Sequence, residues 1–167
     1  GAVGEVVAVV VEDVVGAALA RMERRLRGRS LTTSLPHDLP LVPIDDVLIE
    51  QVLINLLSNA IKYNSEGGKV DVDCITDVPG RIRVCVRDSG AGLLEAQIAQ
   101  LFQPFNRLGR EESAEQGTGI GLAVCKKAVE LHDGRIWADS EVGQGSTFHF
   151  TIPMRKQPAD IVLADAS

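Results

Sequence analysis

The segment QVLINLLSNAIKYN, Gln51 to Asn64, is largely apolar but carries Asn55, Asn59 and Lys62 at helical spacing. At 100° per residue, Gln51, Asn55, Asn59 and Lys62 fall within roughly 80° of arc. Leu53, Leu56, Leu57, Ala60 and Ile61 fall on the opposite side. Solvated helix faces usually carry Glu, Lys, Arg and Gln, whereas Asn inside a helix costs propensity. The amide oxygen of Asn suits a hard cation such as Mg²⁺. The ammonium group of Lys62 suits phosphate oxygens. The stripe therefore reads as a ligand-binding face, with a plain solvated face as the alternative.

Three further stretches could do chemistry. In RVCVRDSGAG a strand delivers Asp88, and Gly90 and Gly92 then let the backbone lie close to a ligand. A carboxylate at such a strand end can accept a hydrogen bond from an exocyclic amine, and adenine offers one. An ordinary Asp-Gly turn is the alternative. In QGTGIGLAV, Gly117, Gly119 and Gly121 lead into a helix expected to begin near Ile120. Free N–H groups and the positive helix end make an anion site there. The GxGxG spacing and the charged loop before it differ from the dinucleotide-binding fingerprint. In EVGQGSTFHF, Gly143 and Gly145 read as a turn, and Ser146 and Thr147 start a strand.

The elements that must position these residues follow from periodicity. Val6 to Val11 reads as a short strand, and 13–27 as a helix stopped by Gly28. Leu31–Leu35 and Leu41–Ile44 read as strands on either side of PHDLP. Asp45 or Asp46 is placed to cap the long helix to about Tyr63, which SEGG ends. Lys69–Thr76 and Arg81–Arg87 read as a hairpin turned by DVPG. Leu94–Gln103 holds one or two short helices, NRLGREESAEQ is an aperiodic charged loop, and Gly134 is placed to cap the last helix. Arg135–Asp139 and Ser146–Ile152 are the closing strands, ended by Pro153. These elements predict an α+β, two-layer sandwich: a mixed, mostly antiparallel sheet with helices on one face. Residues 1–153 form the domain, and 154–167 a peripheral tail.

Bulk composition narrows the function. The 167 residues carry a net charge of −6 with no basic block, which argues against a dedicated nucleic-acid or anionic-membrane surface. Cys74, Cys85 and Cys125 are widely spaced with no CxxC pair, so they read as reduced buried thiols and not as zinc ligands. No apolar run reaches membrane-spanning length. The start at Gly1 suggests a piece of a longer protein.

The order of these motifs resembles the ATP-binding domain of sensor histidine kinases, in the superfamily shared with gyrase, the ninety-kilodalton heat-shock chaperone and the MutL ATPases. NLLSNAIKYN is similar to the family's N box, DSGAG to its G1 box, LFQPFNR to its F box, GTGIGL to its G2 box and GQGSTF to its G3 box. The resemblance covers about Asp13 to Pro153 and implies a Bergerat-type fold that binds ATP with Mg²⁺. Asn59 would then coordinate the metal, Lys62 would contact phosphate, and Tyr63 would lie near the nucleotide. Asp88 would receive the adenine amino group, helped by Thr147, while Gly90 and Gly92 let the loop pass the base. Phe105 and Arg107 belong to the F box, with Arg107 a phosphate contact. Residues 106–116 would form the lid, and Gly117, Thr118, Gly119, Ile120, Gly121 and Leu122 would wrap the phosphates.

Asn55 occupies the position where the ATP-hydrolysing relatives carry a Glu that activates water, and an amide cannot act as that base. The resemblance thus implies transfer of the γ-phosphate to a histidine. Of His37, His132 and His149, none lies on the long exposed upstream helix that an acceptor needs. The acceptor is expected on a separate dimerisation domain, leaving this chain as the catalytic half. The stretch from Thr32 to Asn64 is similar to potassium-responsive KdpD sensors. That implies a KdpE-like response regulator, a cytoplasmic domain of an inner-membrane protein, a monomeric isolated domain and a homodimeric whole. A stand-alone serine kinase of anti-sigma type, or a nucleotide-holding module, is the alternative.

Overall fold

The computed structural model describes residues 6–36, 39–64, 67–103 and 119–154, with backbone alone at 119 and 120. The chain runs β1 (Val7–Val9), α1 (Val11–Arg21), α2 (Glu23–Leu26), β2 (Ser30–Ser34), β3 (Val42–Ile44), α3 (Asp46–Lys62), β4 (Lys69–Ile75), β5 (Arg81–Asp88), α4 (Glu95–Gln100), α5 (Gly119–Leu131), β6 (Ile136–Glu141) and β7 (Gly145–Pro153). The main sheet has the order β2-β4-β5-β7-β6, parallel only between β2 and β4. This is the expected α+β sandwich. The first strand stops at Val9, and α1 starts two residues earlier than expected. Glu12 and Asp13 then sit in its first turn, where the helix end is positive. β1 pairs with β3 in a separate two-stranded ladder, a pairing that neither short segment discloses alone.

One face of the main sheet is apolar by strict alternation. Val70, Val72 and Cys74 of β4, Ile82, Val84 and Val86 of β5, and Phe148, Phe150 and Ile152 of β7 are buried. α1, α3 and α5 close over that face. α3 contributes Ile49, Val52, Leu53, Leu56, Leu57, Ala60 and Ile61 at three- and four-residue spacing. Asp45 is its N-cap, its side chain accepting the Leu48 N–H at 3.1 Å. The three cysteines are buried free thiols. Burial pushes Cys74 up to about 12 and Cys85 and Cys125 up to about 11. No helix among the described residues is long and apolar enough to cross a membrane.

Helix α5 ends differently from expectation. The left-handed residue is Asp133, at φ 59°, and not Gly134. Asp tolerates that conformation because its short side chain adds little clash. Gly134 matters for another reason: a Cβ there would strike the Thr151 carbonyl of β7. Just before it, buried His132 ties two helices together. Its Nε2 accepts the Asp45 N–H at 3.0 Å, and its Nδ1–H donates to the Ala128 carbonyl at 2.7 Å. That assignment makes the ring neutral and locks the start of α3 to the end of α5.

His149 is the corresponding buried imidazole on the outer face of the sheet. Nε2–H donates to Asp139 at 2.9 Å, which leaves Nδ1 as acceptor for Arg83 at 3.3 Å and Cys85 at 3.2 Å. Burial lowers its pKa below the ordinary 6.5, outweighing the attraction of Asp139. Asp139 is 73% exposed, so water screens it. The folded form thus holds the neutral ring while the unfolded chain takes up a proton, and stability falls as the pH drops through 6.5. Thermal melts should show this loss between pH 7 and the lowered folded pKa. His149→Gln should flatten it, and an unchanged slope would rule His149 out as the cause.

Candidate functional site

The fold brings Asp88, the end of α3 and the β6–β7 turn together. Asp88 is the last residue of β5 and is 6% exposed. Its Oδ1 accepts the Gly90 N–H at 2.8 Å, and the Ser146 N–H also donates to the carboxylate. Burial nevertheless raises its pKa, the desolvation outweighing both bonds. The loop after it is fastened by backbone contact. A Cβ at Gly90 would meet the Tyr63 carbonyl, and one at Gly92, which holds φ 80°, would meet that of Glu141. Leu93 N–H donates to Ser140 Oγ at 2.7 Å, and Gly143 N–H to the Ala91 carbonyl at 2.7 Å. Asn64 and Ser89 both bond the start of β4: Asn64 Nδ2 donates to the Lys69 carbonyl and Ser89 Oγ accepts the Lys69 N–H, each at 2.9 Å.

On α3, Asn55, Asn59, Lys62 and Tyr63 are half-buried, while Gln51, at the same stripe's start, is exposed. The polar stripe is thus partly covered from Asn55 onward. Asn55 faces α5, its Nδ2 lying 3.5 Å from Cys125 Sγ. Lys62 Nζ is 5.9 Å from the Tyr63 ring centroid. Gly119 opens α5, Gly121 is half-buried and Leu122 is buried. Phe105, Arg107, Gly117 and Thr118 lie outside the described residues.

Thr147 is not the ladder partner of Asp88. It pairs with Arg87, and Ser146 pairs with Asp88. Alternation along β7 puts Thr147 on the outer face and Ser146 on the buried face, where its Oγ lies 2.8 Å from Ser140 Oγ. The sequence reading named Thr147, whereas the register sets Ser146 opposite Asp88, and a signal for that was present. Phe148, Phe150 and Ile152 share parity with Ser146, and three large apolar residues identify the inward face.

A hollow of about 380 Å³ touches Asp88 from the side away from α3. Lys69, Asp71, Arg87, Thr147 and Asp139 line it from the outer face, and none of the α3 stripe does. The residues singled out in the sequence lie instead on the helix side. There the buried Asp88 carboxylate lies beside a glycine loop packed on the Tyr63 and Glu141 carbonyls. Amide and ammonium groups on α3, together with the N-terminus of α5, suit a phosphate chain with a hard cation.

A two-layer α+β sandwich with a buried carboxylate at the end of β5, beside the end of α3, fits a nucleotide-binding domain. The chain belongs to the family described as histidine kinase-, DNA gyrase B- and HSP90-like ATPases, whose profile matches residues 44–156. It is 40% identical over 148 residues to the adaptive-response sensory kinase SasA of Synechococcus elongatus, covering 87% of this chain and 38% of that protein. It is 42% identical to SasA of Thermosynechococcus vestitus, covering 86% of this chain and 36% of that one. The chain thus spans well under half the length of these relatives. Among solved structures, the catalytic domain of histidine kinase ThkA matches with TM-score 0.79 at 29% identity, covering 90% of this chain and 97% of that one. Full-length ShkA in complex with AMPPNP matches with TM-score 0.80 at 26% identity, covering 94% of this chain and 33% of that one.

Asp88 also predicts a trade-off. Its folded pKa lies above the ordinary 3.8, so ionisation opposes folding as pH rises through the raised value. Asp88→Asn keeps an oxygen for the Gly90 N–H and removes the buried charge. The ligand-free variant should melt at or above the wild-type temperature at pH 7 and lose that advantage near pH 3. A lower melting temperature at pH 7 would contradict this. Gly90→Ala should instead cost about 1–3 kcal/mol in chemical denaturation, because its Cβ meets backbone that cannot yield cheaply.

Proposed function

We propose that the chain is the catalytic half of a two-component sensor histidine kinase, binding Mg-ATP and donating the γ-phosphoryl group to a histidine on a separate helical dimerisation domain. The observation that carries this reading is the buried Asp88, held by glycine backbone against the end of the helix that bears Asn55, Asn59 and Lys62.

Asp88 accepts the adenine amino group, and Ser146 is assigned the supporting role first given to Thr147. Gly90 and Gly92 let the loop beside the base pack on the Tyr63 and Glu141 carbonyls, and Tyr63 closes the loop side. Lys62 meets phosphate oxygens, while Gly119, Ile120, Gly121 and Leu122 present the start of α5 to the same phosphates. Phe105, Arg107, Gly117 and Thr118 keep their proposed places at the lid. Asn59 would hold the Mg²⁺, which supplies charge neutralisation at the phosphates. Asn55 takes no proton from water, so the cleft orients the nucleotide and leaves the nucleophile to another domain.

The subfamily reading is narrower. A KdpD-like sensor of the inner membrane with a KdpE-like regulator rests on the Thr32–Asn64 stretch alone. The relatives named above are adaptive-response kinases and lend the potassium signal no support. The solved complex of ThkA with response regulator TrrA, matched with TM-score 0.74 at 27% identity, supports a receiver-type partner in general. Homodimerisation is assigned to the separate dimerisation domain and a monomeric state to this chain.

Incubated with ATP, Mg²⁺ and the dimerisation domain of its own full-length protein, the chain should generate acid-labile phosphohistidine. Asp88→Asn should abolish both nucleotide binding and that product. Acid-stable phosphoserine on a partner would replace this reading with the serine-kinase one, and failure to bind ATP would defeat both. Transfer onward to a panel of purified response regulators would decide the subfamily.

A further inference from the structure

A recess of about 280 Å³ lies where β5 begins, lined by Arg81, Arg135, Trp137, Val78, Asp133 and Thr151 among others. Arg81 is the first residue of β5 and Asp88 the last. Seven strand steps put the recess about 23 Å from the nucleotide carboxylate. The protein carries a net charge of −6, yet the ionisable groups lining this recess are two guanidinium groups and one carboxylate.

Neither guanidinium is spent on a carboxylate among the described residues. Arg81 Nη1 donates to the Asp133 backbone carbonyl at 2.6 Å, and Arg135 Cζ lies 4.8 Å from the Trp137 ring centroid. Elsewhere on the same face the arginines are matched: Arg83 with Asp77 at 2.7 Å, and Arg87 with Asp73 at 3.4 Å. The walls are also rigid. Trp137 stacks on His149 with ring centroids 4.9 Å apart and planes 12° apart, and Asp139 holds His149 in turn. Arg135 and Thr151 are joined twice, by Thr151 N–H to the Arg135 carbonyl at 2.9 Å and by Arg135 N–H to Thr151 Oγ1 at 3.1 Å. Gly134 contributes bare backbone where a side chain would collide with β7.

Two positioned guanidiniums suit the oxygens of a carboxylate or phosphate, and Val78 with the indole suits an apolar body beside it. We propose that this recess is a second ligand site, taking a carboxylate or phosphate carried on a small apolar or aromatic group. Binding there is separate from the nucleotide cleft and needs none of its residues.

The chain has one tryptophan, so the Trp137 indole N–H gives a single resonance that reports on this recess. The ¹⁵N-labelled 167-residue chain is titrated with benzoate, phenyl phosphate and, as a cationic control, benzylamine. Saturable shifts are expected with the oxyanions and none with benzylamine. Saturation by only one oxyanion assigns the group to that class. Arg135→Gln, at an exposed position, should weaken binding about tenfold without moving the melting temperature. Asp88→Asn should leave the titration unchanged. No saturation by about 10 mM of either oxyanion, an equal shift from benzylamine, or unaltered midpoints in Arg135→Gln would each overturn the proposal.

Discussion

Backbone packed directly on backbone holds the working end of this domain together. At Gly90, Gly92 and Gly145 a single added carbon would strike the carbonyls of Tyr63, Glu141 and Asp88 respectively. Those contacts bind the loop after β5 to the end of α3 on one side and to the β6–β7 turn on the other. They also explain how a carboxylate can be buried at a strand end. Asp88 loses water, and its compensation is main-chain N–H groups from Gly90 and Ser146. Donors fixed in the backbone hold their positions, so the surroundings of the Asp88 carboxylate are set by main-chain geometry.

Two neutral imidazoles brace the scaffold behind it. His132 and His149 are assigned opposite tautomers, each dictated by what the ring touches. One joins helices whose sequence positions are far apart, and the other anchors a row of side chains across the outer sheet face. Neither needs a charge to do so, which suits buried positions, where an ionised ring is costly.

Much of the fold was legible because it is local. Apolar spacing in Asp46–Lys62 and alternation in Lys69–Ile75 and Arg81–Asp88 announce which face is inward. The polar stripe of α3 could be read for the same reason. What escaped depends on contacts between distant segments. Whether Ser146 or Thr147 accompanies Asp88 is decided by register with β5, and the β1–β3 ladder by a pairing across α1 and α2. Asp133 rather than Gly134 turns left-handed because the glycine is needed against Thr151, a neighbour supplied by another strand. The His132 clamp spans 87 residues, and no local pattern encodes it.

The strand order carries a consequence for biosynthesis. β7 lies between β5 and β6, and β6 has no other neighbour in the sheet. During translation, β6 therefore emerges with nothing to pair with until β7 follows it. Helix α3 and the β4–β5 hairpin can form early, but the central ladder closes only when residues 145–153 have left the ribosome. Assembly of the sheet thus waits for β7, the last strand among the described residues, and its pairing with β5 is a high-contact-order step of the kind that slows folding.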